Sequence, residues 1–216
     1  MLKKIYINKK EIPVPVPLKD LATAVLWATQ TFLKKDEVIT SIFLGDKDYT
    51  EANDTKLAQV NLTASSRLSI NKESPQEISM QTLDTIRDLA HNIQKMLKFV
   101  VLRTWEAGDA VEAKEIDIIR NDIDLLLNLV THLNGILNKH HQALSPINGL
   151  HVMLKSYQKE LVSAFQAKNY KACSKLFVTR YEELLRDLTV ESEDLQLRIM
   201  ANGLSELQNP LMVEQK

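Results

Sequence analysis

Loop-forming residues are scarce in this chain: five glycines and six prolines in 216 residues. Most of its length must therefore lie in regular elements. The glycines (Gly45, Gly108, Gly135, Gly149 and Gly203) stand singly, which excludes a glycine-rich phosphate loop. Cys173 is the one cysteine, so no disulfide can form within the chain, in keeping with a reducing compartment. Net charge is equally small, at −1; residues 1–75 hold 11 Lys and Arg against 9 Asp and Glu, and residues 76–216 hold 16 against 19. A balance so even gives no bulk electrostatic case for nucleic acid or an anionic membrane as partner. No uninterrupted apolar stretch approaches the ~20 residues of a membrane-spanning helix. Met1–Ile7 runs straight into a strand-like pattern without the apolar core of a signal peptide, so the expected address is cytoplasmic.

What is present is pattern. Apolar residues make up 44% of the chain and charged residues 25%, the proportions of a folded globular protein. Lys4–Asn8 and Glu11–Val16 read as two short strands around Asn8-Lys9-Lys10, since Asn tolerates a left-handed backbone. Pro13 and Pro15 place the second strand at a sheet edge, with Ile12, Val14 and Val16 on its inward face. Lys19–Lys34 has the spacing of a helix, with Pro17 suited to its first turn. Leu18, Leu21, Ala22, Val25, Trp27 and Phe32 form its apolar side, and Lys34-Lys35 complement the dipole at its end. Val38–Leu44 reads as a buried strand closed by the turn pair Gly45-Asp46. A short segment at Lys47–Thr50, a polar stretch and a last strand near Arg67–Asn71 complete this part.

The order strand, strand, helix, strand, short strand, irregular piece, strand over residues 1–72 resembles the ubiquitin-like β-grasp fold. The resemblance implies a small domain that presents a surface to another protein. The C-terminal Gly-Gly of conjugated members is absent, because the chain reads Ile70-Asn71-Lys72-Glu73 and continues, so covalent tagging is not implied.

Ser74-Pro75-Gln76-Glu77 carries a capping box with proline at the first helical position, and sets a domain boundary between 1–73 and 75–201. Beyond it, Ile86, Leu89, Ile93, Met96 and Val100 step by three and four, with Leu83, Ala90 and Leu97 widening the stripe. Gly108 is the expected terminator of this helix. Ile116, Ile119, Ile123, Leu126, Val130, Leu133 and Leu137 keep the same alternation over three heptads. Ser145-Pro146 opens a third helix through Ile147, Leu150, Leu154, Tyr157 and Leu161. A fourth follows Asn169 through Tyr170, Cys173, Phe177, Leu184 and Leu188. Together these predict an α+β chain: a small β-grasp-like domain, then an antiparallel bundle of about four helices, with residues 202–216 a frayed tail.

Candidate chemistry is thin. A di-iron site needs inward-facing Glu and Glu-x-x-His, and in the one loose match, Asp88-Leu89-Ala90-His91, Asp88 and His91 lie off the apolar seam. His132, His140, His141 and His151 lack metal-ligand spacing, and His140-His141 read as partners of a helix end. Cys173 on an apolar stripe reads as a small hydrophobe. Pro13, Pro15 and Pro17 do not have the spacing of a polyproline ligand. Residues Leu161–Leu185 have the small residues of a tetratricopeptide hairpin without a second copy. No cofactor is expected. The candidate interface residues are Trp105, an aromatic at the end of the first long helix, and Ile116, Ile123, Val130 and Leu137 on the second, whose seam serves either an intramolecular bundle or a homodimer. The expected function is a non-enzymatic protein-interaction, scaffold or adaptor module. The alternatives are a bundle chaperone for an assembling or secreted subunit, in the manner of flagellar export chaperones, or an enzyme or small-ligand sensor with a dispersed site.

Overall fold

The computed structural model describes residues 2–14, 17–107, 113–139 and 146–204; for 103–107 and 113 it describes the backbone alone. The chain is α+β, a five-stranded mixed sheet followed by helices, and divides into two compact units, Met1–Ile78 and Ser79–Lys216.

In the first unit, β1 (Lys4–Ile7) and β2 (Lys10–Pro13) form a hairpin whose turn residues Asn8 and Lys9 both have positive φ, 47° and 67°. Two left-handed residues match the right-handed twist of the strands, which is why this short connection works. The Asn8 amide then pins the turn to the last strand, β5 (Leu68–Glu73). It donates to the Lys72 carbonyl at 2.9 Å and accepts from the Lys72 N–H at 2.8 Å. α1 (Leu21–Phe32) follows, shorter than the helix expected over Lys19–Lys34, because Asp20 caps it by accepting from Thr23 N–H. Next come β3 (Val38–Leu44), β4 (Lys47–Asp48) and a five-residue helix, α2 (Asp54–Ala58), capped by Asn53 within the stretch expected to be irregular. The strand order is β2-β1-β5-β3-β4, with β1 and β5 parallel and the other pairs antiparallel, an arrangement compatible with a β-grasp-like segment.

Pro13 lies on an edge strand, and its ring nitrogen costs no ladder bond. Val14 N–H bonds back to Lys3, so the intervening nitrogen faces away from β1. Pro15 and Val16 lie outside the described residues.

One sheet face packs on α1. Ile5, Ile7, Ile42, Leu68 and Ile70 meet Leu18, Leu21, Ala24 and Ala28, with the two alanines allowing the helix to sit close. β3 departs from the buried strand expected of it, since only Ile42 is buried and Val38 is exposed. Alternation puts Ser41 and Phe43 on the other sheet face, and neither belongs to the core built on α1. A bulge between Ile39 and Ser41 lets Ile39 and Ile42 both face the core although they are three apart.

The capping box at the start of α3 (Pro75–Ala107) closes as its spacing requires. Glu77 accepts from Ser74 N–H at 2.7 Å, and Ser74 Oγ accepts from Glu77 N–H at 3.2 Å. α4 (Ala113–Lys139) and α5 (Pro146–Gln166) follow. Last come α6 (Tyr170–Leu176), a π turn (Phe177–Tyr181) and α7 (Glu182–Asn202), which continue one another without a break. All of these share one core, which includes Ile86, Ile93, Ile119, Leu126, Leu154, Phe177 and Leu188. Gly108, His140, His141, Ser145 and the tail from 205 onward lie outside the described residues.

Candidate interaction surfaces

The open face of the sheet is built by alternation. On β1, Ile5 and Ile7 are buried, so Lys4 and Tyr6 point the other way; on β5, Leu68 and Ile70 are buried, so Ser69 and Asn71 do the same. Strand register then aligns Glu11, Tyr6, Ser69, Phe43 and Asp48 as one row across all five strands. Tyr6 and Phe43 are half-buried, with the small Ser69 between them as a low point. Around Tyr6 the charges are ordered. Its hydroxyl donates to Glu11 Oε2 at 2.9 Å, Lys4 Nζ reaches the same oxygen at 2.9 Å, and the Arg67 guanidinium lies 5.1 Å from the ring centroid. The bond from the Lys4 ammonium, with that from the Tyr6 hydroxyl, holds the Glu11 carboxyl below its ordinary range, and Glu11 raises Lys4 in turn. Beside this row, Asn71 Nδ2 donates to Ser41 Oγ at 2.8 Å. Two aromatics thus flank a shallow polar step, with fixed charges of both signs at one end.

Ile116, Ile123, Val130 and Leu137 are buried to 1% exposure or less, packed within the core of this chain. Their seam faces inward, so these four side chains offer no free surface to a second copy. Trp105 lies in the last turn of α3, and its side chain is outside the described residues. Cys173 is buried, and burial pushes its thiol up, away from the thiolate a nucleophile needs. Asp88, His91 and His132 are exposed. His151 lies 2.9 Å from Thr131 Oγ1 through Nε2, and burial lowers its pKa. Among the described residues no group of three or more His, Cys, Asp or Glu is placed to hold a metal ion, and no helix is long and apolar enough to cross a membrane.

Two features of the helical unit gave no signal in the apolar spacing. The first is the π turn, where Phe177 and Tyr181, four residues apart, are both fully buried. The Tyr181 ring packs edge-on against Tyr157 and Phe177, each at 6.1 Å, and its hydroxyl has no hydrogen-bond partner among the described residues. Burial, and then the nearby Asp124 and Glu160 carboxylates, push that phenol far above its usual range. The second is an open groove of about 760 Å³ between the end of α5 and the α6–π segment, with Ala164, Ala167 and Ala172 among its lining and Lys159, Lys175 and Arg180 beside them. No protein-family model, no curated protein and no solved structure matches this chain.

Proposed function

We propose that this chain is a non-enzymatic interaction module, a scaffold or adaptor. Its β-grasp-like unit docks a partner protein on the open sheet face, and its helices form an antiparallel bundle of about four rods that carries a second contact. The observation that carries this reading is the row Tyr6–Ser69–Phe43, half-buried aromatics aligned across the face opposite the core. Aromatics on a sheet add to its stability through cross-strand contacts, and on a face left half-exposed they also supply rigid contact area to a partner at low entropy cost.

A photo-crosslinking residue placed at Ser69 in the full-length protein should yield a discrete adduct, and the captured protein can then be purified and titrated. Tyr6→Ala and Phe43→Ala should each weaken that pair by about tenfold or more. Leu26→Ala, at an exposed position on α1, should leave it unchanged. An adduct indifferent to Tyr6 and Phe43, or none at all, would remove the sheet face from consideration.

A further inference from the structure

The helix that runs unbroken from Tyr170 to Asn202 changes sign in its middle. Residues 155–180 carry six cations (Lys155, Lys159, Lys168, Lys171, Lys175 and Arg180) against the single carboxylate Glu160. Residues 182–194 carry six carboxylates against the single cation Arg186. The switch falls at the π turn. Lys168, Lys171, Lys175 and Arg180 stand thirteen, ten, six and one residues before Tyr181; Asp194, Glu191, Asp187 and Glu182 stand thirteen, ten, six and one residues after it. Such a helix, laid antiparallel on its own copy across a two-fold axis at Tyr181, sets Lys171 opposite Glu191 and Lys175 opposite Asp187, while Lys168 lies just before the helix and Arg180 beside the axis.

The charges also share a face. Lys171, Lys175, Thr179, Glu183, Asp187, Glu191 and Asp194 follow one another at steps of four and three. In an unbroken α-helix each four-residue step drifts by about 40°, so such a stripe would wind to the far side between Lys175 and Glu191. The π turn takes more residues per revolution and recovers much of that drift. Lys171, Lys175, Thr179, Glu183 and Asp194 are exposed, and Asp187 and Glu191 half-buried. None of Lys168, Lys171, Lys175 and Arg180 has an ion-pair partner among the described residues, and Arg180 lies instead over the Tyr157 ring, at 5.3 Å. On the acidic side Arg186 reaches Asp187 at 3.4 Å and Arg198 reaches Asp194 at 2.8 Å, both with side chains open to solvent, where a partner's lysine can compete. Beside the basic half lies the 760 Å³ groove, whose alanines let a second helix come close. Ala172 reflects onto Val190, an apolar side chain left 58% exposed.

We propose that two copies of this chain associate through this helix, the basic half and groove of each receiving the acidic half of the other. The contact uses the same patch on both copies, so it closes at a dimer. Nucleic acid would be drawn to the basic half and repelled by the acidic half on the same stripe, which is why the second copy is the favoured occupant. This inference uses none of the sheet-face residues and does not rest on that reading.

Light scattering on the full chain across a concentration series tests it. At low salt the mass should approach twice 24.6 kDa, and raising the salt should weaken association about tenfold or more. Lys171→Glu with Lys175→Glu should give a folded monomer, checked by circular dichroism, and so should the mirror pair Asp187→Lys with Glu191→Lys. Mixing the two variants, or placing all four substitutions in one chain, should restore the dimer, because every opposed pair is again opposite in sign. Val190→Arg, at an exposed position, should weaken the dimer without touching these charges. A wild-type monomer at every concentration would overturn the proposal, as would a dimer indifferent to both reversals or folded reversals that fail to complement. A monomer that holds an oligonucleotide or an acidic peptide through Lys171 and Lys175 would overturn it too.

Discussion

Replacing Tyr181 by phenylalanine should make this protein more stable, against the usual sign for a change in a fully buried residue. The Tyr181 side chain is fully buried and its hydroxyl has no partner among the described residues. A buried polar group left unsatisfied costs about 1–3 kcal/mol. Phenylalanine keeps the ring, and with it the edge-on contacts to Tyr157 and Phe177 at 6.1 Å. The oxygen leaves behind a void smaller than a methyl group, so a net gain of roughly 1 kcal/mol survives the lost dispersion. In a unit the size of Ser79–Lys216 that is a rise in Tm of about 2–4 °C. Tyr181→Ala removes the ring as well and should cost about 3–5 kcal/mol, which shows that the site is packed. Urea titrations of the full chain, followed by the far-ultraviolet helical signal, measure both. A Tyr181→Phe variant less stable than wild type by 1 kcal/mol or more, on the order of one made hydrogen bond, would refute the reasoning. It would mean the hydroxyl is bonded, by a water shared with Asp124 or otherwise.

Two further expectations concern the first unit. Glu37 accepts from Lys34 N–H at 2.7 Å and is paired with the Lys72 ammonium, which also donates to the Phe32 carbonyl at 2.8 Å; the Lys34 bond first, and Lys72 second, hold the carboxyl below its ordinary range. A depressed folded value means that its stabilisation is complete above the unfolded pKa, about 4.3, and is lost as pH falls through the lower folded one. Glu37→Gln should therefore cost roughly 1–3 kcal/mol near neutrality and flatten the acid limb, read as faster amide exchange over β3 and β5. A variant with an unchanged acid limb would show that the pair contributes nothing. Lys9 holds φ at 67° in the hairpin turn, a conformation glycine adopts without strain, so Lys9→Gly should raise the urea midpoint by the equivalent of roughly 0.5–1 kcal/mol. A loss would show that the Lys9 side chain contributes more than its backbone strain costs.

Local rules carried far in this chain. Asn8, whose backbone takes the left-handed turn conformation, and the Ser74–Glu77 box and Asn169 before the last helix, whose partners sit within three residues, are local signals, and each forms the structure its chemistry favours. The apolar steps of α3, α4 and α5 likewise placed Ile86, Ile93, Ile119, Ile123 and Leu154 on buried faces, because a 3.6-residue period fixes which side chains share a side. The same period could not say what that side meets. Ile116, Ile123, Val130 and Leu137 suit a partner chain and an internal core equally, and only packing shows them spent within the chain.

What lay beyond the sequence has a common cause, distance along the chain. Tyr6, Ser69 and Phe43 form one row only because β5 inserts between β1 and β3, a pairing that no local pattern states. Phe177 and Tyr181, four residues apart, share a buried face as they would in any helix, but the π turn that spans them leaves no mark in that spacing. The sequence by itself determined the elements, their caps and their apolar faces, since those follow from bonds and contacts within a few residues. Tertiary structure alone decided which faces are consumed in the core and which stay open, because burial depends on what the rest of the chain brings to each face.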